Sequence, residues 1–137
     1  MPLKSINAKI SIQKETLTWS KPPINGVVPK PRCSHSCIFY EGFLFIFGGV
    51  GAGGLFNDLH IYDTGKVENA SPYLCFILTP FEKPVTNSWQ NVEIGGDVPE
   101  ARKGHCADIY GSEMLIYGGF SESGDSATAL CWLDLGM

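Results

Sequence analysis

The sequence predicts an all-β protein made of short paired strands. Two apolar runs at 35–40 and 43–49 are rich in aromatic and β-branched residues and are separated by Glu41 and Gly42, a pattern typical of a β-hairpin. No segment combines helical periodicity over about 11 residues with capping residues. The 16 Gly and 9 Pro residues indicate many turns, as short strands require.

Two further strands are predicted after this hairpin. A glycine-rich connection leads to LHIYD at 59–63, in which apolar and polar side chains alternate. The later stretch SWQNVEI at 88–94 alternates around Trp89. Alternation with a period of two residues is the signature of a strand with one buried face. The sequence therefore predicts four consecutive strands.

The sequence repeats itself at an offset of 70 residues. Self-similarity at one fixed offset is the mark of a repeat architecture, and the character of the intervening residues also agrees. The matching pairs are Trp19 and Trp89, Gly26 and Gly96, Pro29 and Pro99, Arg32 and Arg102, His35 and His105, Gly48 and Gly118, and Gly49 and Gly119.

This ordered set of residues resembles the kelch repeat, whose unit is a four-stranded antiparallel blade of a β-propeller. The motif in the first copy is Pro29-x-x-Arg32-x-x-His35, Gly48-Gly49, NDLHIYD at 57–63 and Trp89. The second copy has Pro99-x-x-Arg102-x-x-His105, Gly118-Gly119 and LCWLD at 130–134. The resemblance covers nearly the whole chain.

The repeated residues are expected to be structural. Two adjacent glycines at the end of an apolar strand allow a bend and a close approach that a Cβ would prevent. The resemblance implies that the Trp and the Tyr-Asp pair lie where successive blades face each other. The predicted structural residues are Trp19, Arg32, His35, Gly48, Gly49, Tyr62, Asp63, Trp89, Arg102, His105, Gly118, Gly119, Trp132 and Asp134.

Three segments follow from this alignment. Residues 1–22 match the third and fourth strands of a partial blade, 23–94 a full blade with an insert at 65–84, and 95–137 a blade lacking its fourth strand. About two blades' worth of strands form an incomplete β-propeller, since closed propellers have 4–8 blades. We therefore expect self-assembly or completion by another chain, and a fragment of a larger kelch propeller protein is an alternative.

The insert explains why the offset exceeds the usual kelch period of about 50 residues. Gln13 precedes Trp19 by six residues, whereas Asp63 precedes Trp89 by 26. Removing residues 65–84 restores the shorter spacing. The insert is a binding loop with an apolar run, an extra edge strand, or a retained intron translated in frame, and the sequence leaves these three readings open.

Composition excludes several classes of function. The net charge is −4 and the ten Lys and Arg residues form no basic run, so no nucleic acid or membrane partner is expected. The N-terminal residues lack the apolar stretch of a secretory signal, and no segment approaches the roughly 18 apolar residues of a membrane span. Five irregularly spaced Cys favour free thiols in a reducing compartment, hence a cytoplasmic or nuclear location.

The chemistry-bearing residue types form no convincing catalytic or metal site. Cys33, His35 and Cys37 alternate along a predicted strand, as zinc ligands could, but the second copy keeps only His105 and Cys106. The glycine-rich stretch 48–54 lacks the ending of a phosphate loop, and the polar loop 119–125 lacks a nucleophile elbow. No metal, cofactor or catalytic residue is therefore predicted.

The resemblance implies a protein–protein interaction module of the adaptor or scaffold type without catalysis of its own. Kelch propellers commonly present the loops at their mouth to a protein partner, although a minority are enzymes, and part of a kelch-like enzyme is an alternative. Leu55 and Phe56 are the most apolar residues of the mouth loops, so they are candidate partner contacts unless they pack back onto the blade. The predicted mouth loops are 22–31, 50–57, 95–102 and 120–127.

Overall fold

A computed structural model describes residues 19–22, 24–65 and 87–136. The prediction for 1–18, and the insert apart from Gly65, lie outside the described residues. Within them, no helix has the length and hydrophobicity to span a lipid bilayer. The strands are β1 (Asn25–Gly26), β2 (Ser36–Tyr40), β3 (Phe43–Phe47), β4 (Val50–Gly51), β5 (Gly54–Leu55), β6 (Leu59–Asp63), β7 (Ser88–Val92), β8 (Cys106–Tyr110), β9 (Glu113–Tyr117) and β10 (Leu130–Asp134).

Strands β2, β3, β6 and β7 form an antiparallel sheet, which we call the first blade. The β2–β3 hairpin turns at Glu41 and Gly42, whose φ angles are 47° and 86°. Two positive φ angles match the right-handed twist of the paired strands. The predicted all-β class is confirmed, and the four predicted strands are present in their predicted order.

Strands β8, β9 and β10 form the second blade, which has three strands in the described part of the chain. Its register repeats that of the first blade: Phe47 pairs with Leu59, and Tyr117 pairs with Leu130. Each blade therefore presents matching positions on matching faces.

Two short pairings were not predicted from the sequence. Strand β1 pairs in parallel with β7, and the amide of Val27 donates to the carbonyl oxygen of Trp89 at 2.9 Å. Strands β4 and β5 form a small hairpin inside the glycine-rich connection. The first adds a strand to the edge of the first blade, and the second shapes the loop that follows Gly49.

The hydrophobic core lies between the two blades. Alternate residues of β3 point toward the second blade, where Met114 and Ile116 of β9 point back. Alternation places every second side chain on the same face of a strand, so two facing blades bury one face each. The buried members are Phe43, Phe45, Phe47, Leu59, Ile61, Met114, Ile116 and Leu135.

Candidate functional site

Three of the four predicted mouth loops meet at one end of the two blades, which we call the mouth (residues 50–57, 95–102 and 120–127). The prediction for 22–31 is wrong in its first part, because Asn25 and Gly26 pair with Ser88 and Trp89 at the opposite end of the first blade. The amide of Gly49 donates to the carbonyl oxygen of Arg102 at 2.9 Å, and the amide of Arg102 donates to that of Phe56 at 3.2 Å. A Cβ on Gly54 would lie 3.2 Å from Glu122 Oε1. The mouth is therefore one continuous surface contributed by both blades.

The second glycine of each diglycine supports this end of the structure. Gly49 has a φ of 93° and Gly119 has a φ of 86°. A Cβ would lie 2.7 Å from the carbonyl oxygen of Cys33 in the first case and 2.7 Å from that of Lys103 in the second. Both positions combine a left-handed backbone with a close approach, which only glycine tolerates.

Arg32 is held by the mouth loop of its own blade. Its Nη1 donates to Asp58 Oδ1 at 2.6 Å and its Nη2 to Asp58 Oδ2 at 2.9 Å. Nη1 also donates to the carbonyl oxygen of Gly48 at 3.0 Å. The guanidinium carbon lies 4.2 Å from the centroid of the Phe56 ring. A bidentate ion pair with a stacked ring fixes the guanidinium in one orientation.

Asp58 also contacts His60, so its carboxylate links Arg32 to His60. His60 Nε2 lies 3.0 Å from Asp58 Oδ2. The hydrogen bond from Arg32 is the main cause that holds the pKa of Asp58 below its ordinary value; burial opposes this effect and the His60 hydrogen bond adds to it. The carboxylate therefore stays ionised and locks the mouth loop to Arg32. Sequence reasoning did not single out either Asp58 or His60.

A separate contact between polar side chains joins the two blades directly. His105 Nε2 lies 2.9 Å from Ser36 Oγ, and both residues are buried. Beside it, the amide of Gly104 donates to the carbonyl oxygen of Ser34 at 2.9 Å. Burial, and then the charge of Arg102, lower the pKa of His105. The repeated histidine of the second copy thus acts as a neutral link between blades, and Ser36 is a partner that the sequence did not reveal.

The remaining repeat residues fall into two groups. Tyr62 packs against Trp89 on the neighbouring strand, with ring centroids 4.9 Å apart. Asp63 accepts a hydrogen bond from the amide of Gly65 at 2.8 Å, and Asp134 accepts one from the amide of Gly136 at 2.8 Å. These aspartates therefore close turns after equivalent strands.

The other repeat residues are less enclosed or only partly bonded. Trp19 and Trp132 are exposed. His35 is half-buried, with Nδ1 enclosed and without a hydrogen-bond partner in the described structure. Gly118 has a φ of 75°, yet nothing lies within 4 Å of a Cβ built on it. Gly118 therefore has fewer neighbours than the equivalent Gly48, where a Cβ would lie 2.9 Å from the carbonyl oxygen of Arg102.

The two candidate partner contacts differ from each other. Phe56 is half-buried and one face of its ring is covered by Arg32, while a Cβ on Gly51 would lie 2.9 Å from the ring. Leu55 is half-buried at the end of the β4–β5 hairpin. Phe56 thus packs back onto its blade, and Leu55 keeps a surface toward the mouth.

The cysteines weighed as zinc ligands and the polar loop at 119–125 can both be located in the structure. Within the described ranges, no three His, Cys, Asp or Glu side chains converge as metal ligands would. Cys33 and Cys37 are exposed free thiols. In the loop, Ser123 Oγ lies 2.7 Å from Ser121 Oγ and donates to Asp125 Oδ2 at 2.8 Å. These local bonds hold the loop in a compact turn.

Two facing antiparallel blades, each with a diglycine after its second strand, define a repeat protein of the β-propeller type. No protein-family model matches the chain. The chain is 32% identical over 108 residues to kelch domain-containing protein 3 of Homo sapiens, and 29% identical over 108 residues to host cell factor 1 of Rattus norvegicus. These relatives confirm the resemblance of the chain to the kelch repeat family.

The similarity covers a large share of this chain and a small share of its relatives. It spans 79% of this chain and 24% of kelch domain-containing protein 3, and 77% of this chain and 5% of the host cell factor. A solved structure, titled "Structure of YjhT", is similar over 68% of this chain and 22% of its own, with 24% identity and a TM-score of 0.45. The chain therefore spans a minor part of the length of kelch domain-containing protein 3 and of the host cell factor.

Proposed function

We propose that this chain is a protein–protein interaction module of the adaptor or scaffold type, which binds its partner at the mouth rather than catalysing a reaction. One observation carries the proposal: three loops of different sequence converge on one rigid end of two packed blades. Propellers of the kelch family commonly present such loops to a protein. Loops on a rigid scaffold are the usual place for binding residues.

The arrangement of polar groups also supports binding over catalysis. Two polar contacts of the motif are bonded into the fold, namely the pair of Arg32 with Asp58 and the contact of His105 with Ser36. A catalytic group must reach a substrate atom at hydrogen-bonding distance. The first holds a loop to its own blade and the second holds the two blades together, so both serve a structural purpose, and the exposed loop residues are left to contact a partner.

Site-specific photo-crosslinking in cells tests this proposal. A benzophenone amino acid replaces Ala52, which is exposed at the mouth, and in a matched control it replaces Glu41, which is exposed in the β2–β3 turn at the other end of the blade. We expect a discrete protein adduct from position 52 and none from position 41. Adducts of equal yield from both positions, or none from position 52, would contradict binding at the mouth.

A further inference from the structure

Two tryptophans that the 70-residue offset makes equivalent have opposite surroundings. Trp89 lies on β7, the fourth strand of the first blade, opposite Tyr62 of β6, and the two ring centroids are 4.9 Å apart. Trp19 is fully exposed, and the three residues after it are exposed as well. An indole is one of the largest apolar surfaces that a side chain can bury. Trp19 is therefore free to bury its ring against another surface.

The second blade has an open edge where the first blade carries β7. In the first blade, β6 pairs with β3 on one side and with β7 on the other. The equivalent strand β10 pairs with β9 on one side, and no described strand pairs with its other side. Leu130 and Trp132 of β10 are 54% and 68% exposed. Such an edge offers a row of backbone donors and acceptors to an added strand.

Two apolar cavities lie beside this open edge. The larger has a volume of about 510 Å³ and is bordered by all five residues of β10 and by the connection 94–99. The smaller, of about 180 Å³, lies between Phe45 and Ile61 of the first blade and Leu133 of β10. Leu133 borders both cavities. There is therefore open space on the side of β10 that faces the first blade.

The strand register makes Leu133 the counterpart of Tyr62. Tyr62 pairs with Leu44 in the first blade, and Leu133 pairs with Met114 in the second. Leu44 and Met114 are related by the same 70-residue offset that relates Trp19 to Trp89. The place that a tryptophan fills beside Tyr62 is thus open beside Leu133.

We infer that residues 19–22 of a second copy of this chain add to β10 as an antiparallel strand and bury the ring of Trp19 beside Leu133. The pairing follows that of β7 with β6. It sets Trp19 opposite Leu133, Ser20 opposite Trp132, and Lys21 opposite Cys131. Because side chains alternate along a strand, Trp19 and Lys21 then lie on the face with the two cavities.

The donor is a second copy because one chain keeps the two parts of this contact separate. None of residues 19–22 borders either cavity, and all four are exposed. Every copy carries both the donor segment and the acceptor edge, which are different surfaces. A contact of this kind joins copies head to tail, or by mutual exchange in a pair. It is independent of a partner at the mouth, since it does not use the loop that contains Ala52.

Charge also favours this segment as the added strand. Asp97 borders the larger cavity and its side chain is exposed. Lys21 lies on the face of the added strand that is turned toward this cavity. An exposed ion pair contributes little to affinity, but a carboxylate at the rim favours a basic segment over an acidic one.

The first test traps the contact with a disulfide. Cys131 is a free cysteine, and Lys21→Cys places a thiol opposite it. Paired residues of antiparallel strands have Cα atoms about 4.5–5.5 Å apart, which a disulfide can span. We expect mild oxidation of the full chain to give a dimer on a non-reducing gel, with position 21 of one copy linked to Cys131 of the other in peptide mass spectra.

Ser20→Cys is the matched control for this trap. Its thiol lies opposite Trp132 and on the other face of the added strand, so we expect a much lower yield of linkage to Cys131. Equal yields from the two variants would overturn the inference. So would the lack of any link between position 21 and Cys131, or a link within one chain, which runs at the mass of a monomer.

The second test measures self-association without a cross-link. Sedimentation velocity of the full chain over a range of concentrations should show a concentration-dependent oligomer. We expect Trp19→Ala to raise its dissociation constant at least about tenfold, as for other buried tryptophans at interfaces. Tyr110→Ala removes another exposed ring, at 74% exposure and two strands away from the open edge, and should leave the constant unchanged. A monomer at all concentrations, or equal effects of the two variants, would overturn the inference.

The inference and the proposed function fail separately. If Trp19→Ala associates like the unmodified chain and no link to Cys131 forms, while position 52 still crosslinks another protein, the inference fails and the proposed function stands. If the link forms between copies and position 52 gives no adduct, the proposed function fails and the inference stands.

Discussion

The first and second blades carry the same motif, but they are buried to different extents. Phe47 of the first blade is 1% exposed, and Tyr117 at the equivalent position of the second is 55% exposed. The reason is the neighbour: the second blade covers this face of the first, and none of the described residues covers that face of the second. The motif therefore specifies the backbone of a blade, whereas the next blade supplies much of its core.

The largest difference in stability between the two blades is expected from a cavity in the core. Phe47→Ala should lower the free energy of unfolding by about 3–5 kcal/mol, since the whole ring is removed from a packed interior. Tyr117→Ala should change it by about 0.5 kcal/mol, as is usual for surface positions. Urea denaturation of both variants measures the difference. Similar losses for both would show that the exposed face of the second blade is covered in solution.

A smaller effect is expected at the first glycine of each diglycine. Gly48 and Gly118 have φ angles of 62° and 75°, so alanine introduces a left-handed strain of about 1–2 kcal/mol at both. Only at Gly48 would the new Cβ also meet Arg102 O at 2.9 Å and His105 Cε1 at 3.0 Å. We therefore expect Gly48→Ala to lower Tm more than Gly118→Ala. Equal shifts in thermal melts would show that blade contact does not constrain this glycine.

The smallest expected effect is a pH dependence of the stability, which comes from His105 at the contact between the blades. Burial, then Arg102 and His35, hold the pKa of His105 below its ordinary value of 6.5. The unfolded state therefore binds more protons in this range, so stability falls as the pH drops from about 6.5 toward the folded-state pKa. Thermal melts between pH 7.5 and 5.5 should show this loss, and His105→Gln should reduce it. The carboxyl of Asp58 titrates below 3.8 and does not contribute in this window.

Much of the fold could be predicted from the sequence because its signals are local. The alternation in LHIYD and the turn at Glu41 and Gly42 each involve a few neighbouring residues, and β6 and the β2–β3 hairpin lie where those signals place them. Pairing of β1 with β7 could not be predicted, since Asn25 and Gly26 carry no strand pattern and meet a strand far along the chain.

The polar contacts at the mouth were less predictable, because their partners also lie far apart in the sequence. The repeat offset marked Arg32 and Arg102 as equivalent, but it did not reveal that Asp58 binds the first. An offset of 70 aligns Asp58 with Thr128, whereas the strand register aligns it with Ala129, because the second connection is one residue longer. The absence of an acidic residue from 126 to 129 was a signal that could have been read.

The parallel pairing of β1 with β7 has a consequence for the order of folding. Residues 25 and 88 are partners, so this contact must close a loop of about 60 residues, and long loops are slow to close. The β2–β3 hairpin closes across two residues and needs no other strand. We therefore expect the hairpin to form early and β1 to join last, so that the outer edge of the first blade is open to other chains until synthesis has passed residue 92.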